Sequence, residues 1–166
     1  MNQLNIVTRW SVVLLLLFFS LAIVQCGGQV RVSQNGDIVT VHYTGTLDTG
    51  EVFDSSRDRD PFQVTIGSGQ VIPGFDEALK GLSVGDTVTK RMEPENAYGL
   101  HRADLVVEAF KDELPSDVIV GQVLQGATGG IFTIVSIEGD IVELDGNHRL
   151  AGHALTFEIE MIEIKD

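Results

Sequence analysis

Cysteine is almost absent from the 166-residue chain. Cys26 stands alone, so an intrachain disulfide, a Cys-x-x-Cys redox centre and a thiolate metal cluster are all excluded. Cations are scarce too: 11 Lys and Arg face 24 Asp and Glu, a formal net charge of -13. Setting aside the first 25 residues removes only Arg9 and takes that charge from -13 to -14. Binding to a phosphate backbone needs a basic patch, which Lys80, Lys90, Arg91 and a few scattered others do not make, so nucleic acid is not a partner. The acidity is read as a solubility feature. The four histidines, His42, His101, His148 and His153, show no ligand spacing on a predicted helix. No metal is expected, although the five-residue interval from His148 to His153 leaves room for a third ligand.

What the chain does have is a globular balance, 43% hydrophobic and 21% charged, which calls for a packed core. Its length suits one ordinary domain, or one domain carrying a smaller inserted one. Residues 1–9 are polar and end in Arg9, and Trp10 to Val24 is almost wholly apolar, after which Gln25-Cys26-Gly27-Gly28 breaks the run. This is the profile of an export signal, short for a membrane span, and it predicts a leader over residues 1–26. Ile23-Val24-Gln25-Cys26 resembles the box around the lipid-modified cysteine of bacterial lipoproteins. Gln25 stands where a small residue is usual, so an uncleaved signal anchor is the other reading. Either way Arg9 stays on the cytoplasmic side, placing the body outside the cell membrane that holds it.

From Asn35-Gly36 onward the body is punctuated by turns. Ile38 to Tyr43 alternates, with Val39, Val41 and Tyr43 on one face. His42 to Ser56 then reads as a hairpin turning at Asp48-Thr49-Gly50 and delivering Phe53 and Asp54 near Tyr43. Phe62 to Ile66 is a further strand. Gly74 to Lys80 is the one convincing helix outside the leader: Asp76 and Glu77 lie in its first turn, Lys80 in its last, and Gly81 is a left-handed cap. Phe75, Ala78, Leu79 and Leu82 form its buried side. Val88 to Met92 makes a strand that Glu93-Pro94 stops. Val106 to Phe110 is another; Asp117 to Gly130 is apolar but glycine-rich; Ile131 to Ile137 and Ile141 to Leu144 form a hairpin. Leu155 to Ile164 alternates over its whole length with one acidic face. The fold class is α+β, a sheet and one short helix.

Five blocks carry a more specific signal: Val41-His42-Tyr43-Thr44-Gly45, Phe53-Asp54-Ser55-Ser56, Pro61-Phe62, Val71-Ile72-Pro73-Gly74-Phe75 and Ala97-Tyr98-Gly99. In that order and at those intervals they resemble the FKBP family of macrolide-binding peptidyl-prolyl cis-trans isomerases. The resemblance implies an antiparallel sheet curled around one short helix, built from residues 29–99 and 152–166. Residues 100–151 resemble the small β-rich insert-in-flap chaperone domain of the SlyD-type branch, and Asp145-Gly146-Asn147-His148-Arg149-Leu150-Ala151-Gly152 resembles the return from it. That branch's histidine tail is absent.

The resemblance further implies a proline pocket made of Tyr43, Phe53, Phe62, Val71, Ile72, Phe75, Tyr98 and Phe157. Phe75 would be its floor, in place of the tryptophan most common in the family. The Ile72 N–H and the Tyr98 hydroxyl would be donors to substrate carbonyls, and Asp54 the polar group beside Tyr43. No cofactor is needed. Both tyrosines of the chain and four of the six phenylalanines beyond the leader fall on these positions. Plainer roles exist for some of them: Phe62 and Phe157 as strand core, Tyr43 as a buried phenol with a partner, Asp54 as the cap of the Ser55-Ser56 turn. Two functions follow. One is an isomerase, working as a monomer on proline-containing unfolded chains and open to macrolides. The other is a membrane-tethered chaperone whose insert captures unfolded segments through Ile119, Val120, Val123, Leu124, Ile131 and Phe132, unless these are merely the insert's core.

Overall fold

The computed structural model describes residues 30–126 and 129–165. Arg31–Asp166 forms one compact unit. The leader and Cys26 lie outside the described residues; among those described, no helix is long and apolar enough to cross a membrane.

The first sheet is built on β1 (Ile38–Leu47). Its Val39, Val41 and Tyr43 are buried as the alternation requires, and it runs four residues past Tyr43 because both its edges are paired. One edge carries β9 (Leu155–Lys165) from Leu47↔Leu155 to Ile38↔Lys165. Two short strands share the other edge: β2 (Val52–Ser55) beside Thr44–Thr46 and β3 (Phe62–Thr65) beside Ile38–Val41. The strand β4 (Thr87–Met92) closes the order β2-β1-β9-β4. All pairings are antiparallel.

The strand β9 departs from the strict alternation expected of it. Leu155, Phe157, Ile159 and Met161 point into the core, but Val41 pairs with Met161 and Thr40 with Glu163, leaving Ile162 as an extra residue. Such a bulge reverses the phase of the strand. Ile162 faces outward as simple alternation already requires, and the reversal turns Ile164, opposite Val39, inward to pack against the core.

The helix α1 (Pro73–Ala78) packs its buried side against the first sheet. Proline at its first position has no N–H to leave unsatisfied, and the Ile72 carbonyl accepts the amides of Phe75 and Asp76 at 3.0 and 3.1 Å. The helix ends before Lys80, earlier than its charge pattern suggests. Leu79 is its C-cap, and Gly81, at φ +79°, takes the left-handed turn. Lys80 instead reaches back to Glu77 at 2.9 Å, an exposed pair of little energetic weight. Gly74 is required by packing, since a Cβ there would lie 2.7 Å from the Met92 side chain. Phe75, Ala78 and Leu79 join the β1, β4 and β9 side chains in one core.

A second antiparallel sheet has the order β5-β8-β7-β6: β5 (Val106–Phe110), β8 (Ile141–Asp145), β7 (Ile131–Glu138) and β6 (Val123–Gln125). The strand β6 lies within the glycine-rich stretch, where sequence pattern alone gives no strand; it exists through pairing with β7, Leu124 opposite Phe132. Val118, Ile134, Val142 and Leu144 form a small core of its own, with Leu124 and Phe132 packed against it. Ile119, Val120, Val123 and Ile131 are exposed, so the six residues weighed for capture divide into four on the surface and two inside.

Two chain segments join the sheets. Asn147 ties them, its side-chain oxygen accepting the Arg102 amide at 2.9 Å while its nitrogen donates to the Arg102 carbonyl at 2.9 Å and to Asp145 at 2.7 Å. His101 Nε2 lies 2.9 Å from the other Asp145 oxygen. Burial alone would raise the Asp145 pKa, but these hydrogen bonds hold it below the usual carboxylate range. Leu150, three residues further on, is buried in the first core.

Candidate functional site

The His42–Ser56 hairpin builds one wall of the site. Gly50, at φ +86°, supplies the conformation its turn demands. The β1–β2 register slips between Gly45 and Thr46, which pair with Asp54 and Val52 and leave Phe53 extra. The bulge aims the Phe53 ring across Gly45 onto Phe157, with centroids 5.5 Å apart. Any side chain at position 45 would collide, since its Cβ would lie 2.6 Å from the Phe53 ring. The next residue, Asp54, receives the Tyr43 hydroxyl at 2.6 Å.

The centre of the site is Phe75, delivered by the first turn of α1. Its ring meets Phe157 at 5.1 Å, Tyr43 at 5.6 Å and Phe62 at 6.5 Å, with interplanar angles of 82°, 85° and 76°. These are edge-to-face contacts, the arrangement aromatic quadrupoles prefer. Val71 and Ile72, just ahead of the helix, lie on one side. Tyr98, after the 3₁₀ turn Pro94–Asn96, lies on another; Ala97 before it is buried, while Tyr98 itself is 40% exposed. Together these residues bound a cavity of about 370 Å³. All nine residues singled out in the body of the sequence, Tyr43, Phe53, Asp54, Phe62, Val71, Ile72, Phe75, Tyr98 and Phe157, line it, and Gln70 is a tenth.

Asp54 does not cap the Ser55-Ser56 turn, where the Ser55 hydroxyl itself accepts the Arg57 amide at 3.2 Å. Its second oxygen instead accepts Arg59 Nη2 at 2.6 Å, and the same nitrogen donates to the Tyr43 hydroxyl oxygen at 2.9 Å. Sequence reasoning missed Arg59. It is one of four charges in the loop Arg57-Asp58-Arg59-Asp60, and only the fold separates them: Arg57 turns to Glu158 and Glu160 on β9, Arg59 to the pocket. Burial, with Asp54 beside it, pushes the Tyr43 phenol up to about 12. Tyr43 is therefore a neutral donor at any physiological pH, its proton committed to Asp54. An aromatic cavity with a hydrogen-bonded polar rim can hold an apolar, ring-shaped group while orienting the amides on either side. Among the described residues no group of three His, Cys, Asp or Glu side chains is placed to hold a metal ion.

Comparison with known proteins agrees with this geometry. The family model described as FKBP-type peptidyl-prolyl cis-trans isomerase matches residues 29–162. A relative named FKBP-type peptidyl-prolyl cis-trans isomerase SlyD, from Treponema pallidum, is 32% identical over 137 residues, 80% of this chain and 78% of that one. The short-type peptidyl-prolyl cis-trans isomerase of Methanocaldococcus jannaschii is 32% identical over 152 residues, 82% of this chain and 96% of the relative. Fkbp12 of Drosophila melanogaster is 58% identical over 67 residues, covering 40% of this chain and 62% of the fly protein. With antiparallel strands and one short α-helix among the described residues, and a match along most of its length, the chain belongs to the FKBP-type peptidyl-prolyl cis-trans isomerases.

Proposed function

We propose that this isomerase assists the folding of exported proteins, turning Xaa-Pro bonds by desolvation and twisting in the aromatic cavity, without covalent catalysis. The observation that carries the mechanism is the cavity itself: five aromatic walls around Phe75, with polar side-chain groups at Asp54, Gln70 and the Tyr43 and Tyr98 hydroxyls. An Xaa-Pro bond rotates over about 20 kcal/mol because the amide nitrogen shares its lone pair with the carbonyl, and unaided it takes tens to hundreds of seconds. Rotation weakens that sharing, so the transition state is less charge-separated than the ground state. A dry aromatic environment favours it differentially.

In this reading the proline ring sits on Phe75 between Tyr43, Phe62 and Phe157, with Phe53, Val71 and Ile72 closing the sides. The Ile72 N–H and the Tyr98 hydroxyl hold the flanking carbonyls. Asp54, oriented by Tyr43 and Arg59, faces the carbonyl that turns. The same cavity would take a macrolide, on a smaller floor than tryptophan would give. The leader, with Cys26 as lipid attachment point or as part of a signal anchor, would hold the body at the outer side of the cell membrane.

The test is isomerisation of a short Xaa-Pro peptide by the body from residue 30 onward. Tyr98→Ala should lower kcat/KM by roughly tenfold, the worth of one hydrogen bond of about 1–1.5 kcal/mol, and Asp54→Ala, which releases the Tyr43 hydroxyl and Arg59 from their shared acceptor, should lower it as well. Wild-type turnover in both variants would remove these residues from the mechanism.

A second reading has its own observation. Val123 and Ile131 are exposed on β6 and β7, Val107 and Phe110 on β5, and Ile119 and Val120 in the segment that precedes β6, apolar side chains that an unfolded segment could cover. We infer that residues 100–151 act as a flap-borne insert that captures unfolded segments and hands them to the cavity.

A further inference from the structure

Tyr98 stands between two cavities. One is the aromatic pocket; the other, of about 440 Å³, is walled by Tyr98, Leu100, Leu105, Asn147 and His148 among others. Among the described residues one ring packs flat on it: the His148 imidazole, with centroids 3.9 Å apart and planes 3° from parallel. His148 comes from the chain returning from the second sheet, forty-nine residues after Tyr98's own loop neighbour Gly99. It is anchored on both sides, by the Asn147 hydrogen bonds to Arg102 and Asp145 and by Leu150 in the first core.

The ring's protonation follows from its partners. The Leu150 amide donates to His148 Nδ1 at 3.1 Å, so Nδ1 is the bare nitrogen and the proton sits on Nε2. Burial, aided by the neighbouring Arg149, pushes the His148 pKa below the ordinary histidine range and keeps the imidazole neutral at neutral pH.

We propose that His148 is a positioning residue for the isomerase: by stacking on Tyr98 it fixes the plane of that ring, and so the direction in which the Tyr98 hydroxyl enters the proline pocket. The inference rests on Tyr98 being a pocket donor. Without His148 the far face of Tyr98 borders open space, and the ring is free to swing into it. The segment returning from the second sheet thus completes the site in the first.

A double-mutant cycle on kcat/KM for a short Xaa-Pro peptide tests this in the body from residue 30, with near-ultraviolet circular dichroism and melting temperature as checks on folding. His148→Ala should lower kcat/KM roughly two- to tenfold, the range a ring pair is worth. His148→Phe, which restores a flat ring without a titratable group, should recover it to within about twofold of wild type. If His148→Ala does not fold, His148→Leu, which keeps bulk but not the ring face, should show the same loss. In the Tyr98→Ala background, removing His148 should cost nothing more. Wild-type turnover in His148→Ala while Tyr98→Ala is impaired overturns the proposal, as does a His148→Ala loss of equal size in the Tyr98→Ala background. Unimpaired turnover in Tyr98→Ala removes both the donor role of Tyr98 and the positioning role built on it.

Discussion

A variant lacking residues 107–144, closed by an Asn-Gly turn, should turn over a short Xaa-Pro peptide within about twofold of wild type yet lose most of its power to speed a proline-limited protein refolding. The design follows from the register. Val106 pairs with Asp145, and the Gly146 amide donates to the Leu105 carbonyl at 2.9 Å, so the cut ends already face each other as a hairpin would. The second sheet has its own core of Val118, Ile134, Val142 and Leu144, and removing it exposes little of the first. His148 and Leu150 remain in place. A short peptide occupies only the cavity and feels no loss. A refolding chain reaches the cavity by being held nearby, and a tether of this kind raises local concentration by a factor of roughly 100 or more, which refolding assays should lose. Equal loss in both assays would contradict this division, and so would undiminished refolding activity.

Phe75→Ala should destabilise the body by about 3–5 kcal/mol, the cost of emptying a fully buried aromatic site, and should abolish measurable peptide turnover. Phe75 is 3% exposed and touches three other aromatic rings, contacts that the truncation removes together. A loss of that size is a large share of the 5–15 kcal/mol typical of a domain. Phe75→Leu separates folding from function: it keeps most of the volume and costs less stability, but it removes the ring edges that carry Tyr43 and Phe157. Denaturant unfolding of both variants beside peptide kinetics gives the answer. Wild-type turnover in Phe75→Leu would mean that the aromatic character of the floor is not needed.

Which features could be read from the sequence depended on whether they were set locally or by pairing at a distance. Tyr43, Phe53 and Asp54 were readable because a turn signal and an alternating strand place them together within fifteen residues. Phe75 was readable because helix spacing puts it on the inner face. Arg59 was not, since a loop of alternating charges gives no sign of which arginine turns inward until β9 has claimed Arg57. The bulge at Ile162 left a trace, two adjacent apolar residues at Met161-Ile162, but its effect on phase depends on register with β1. Short β6 pairs locally with β7 but lies in a glycine-rich stretch that hides its pattern, whereas the His148 stack is wholly tertiary, made by a contact across many residues.

Rotation of the bond by desolvation, with no proton transfer, can be checked by kcat/KM for a short Xaa-Pro peptide in ordinary and heavy water across pH. No group in the cavity has to gain or lose a proton, so the solvent isotope ratio should be close to one, and the profile should be flat from neutral pH to about 10. Beyond that, activity and stability should fall together. A phenol held at about 12 in the folded chain keeps its proton where the unfolded one, near its ordinary 10, has released it, so this contribution is complete below 10 and is lost as pH rises through 12. A solvent isotope ratio of two or more, or a bell-shaped profile centred near neutrality, would contradict the account and point to an acid or base in the cavity.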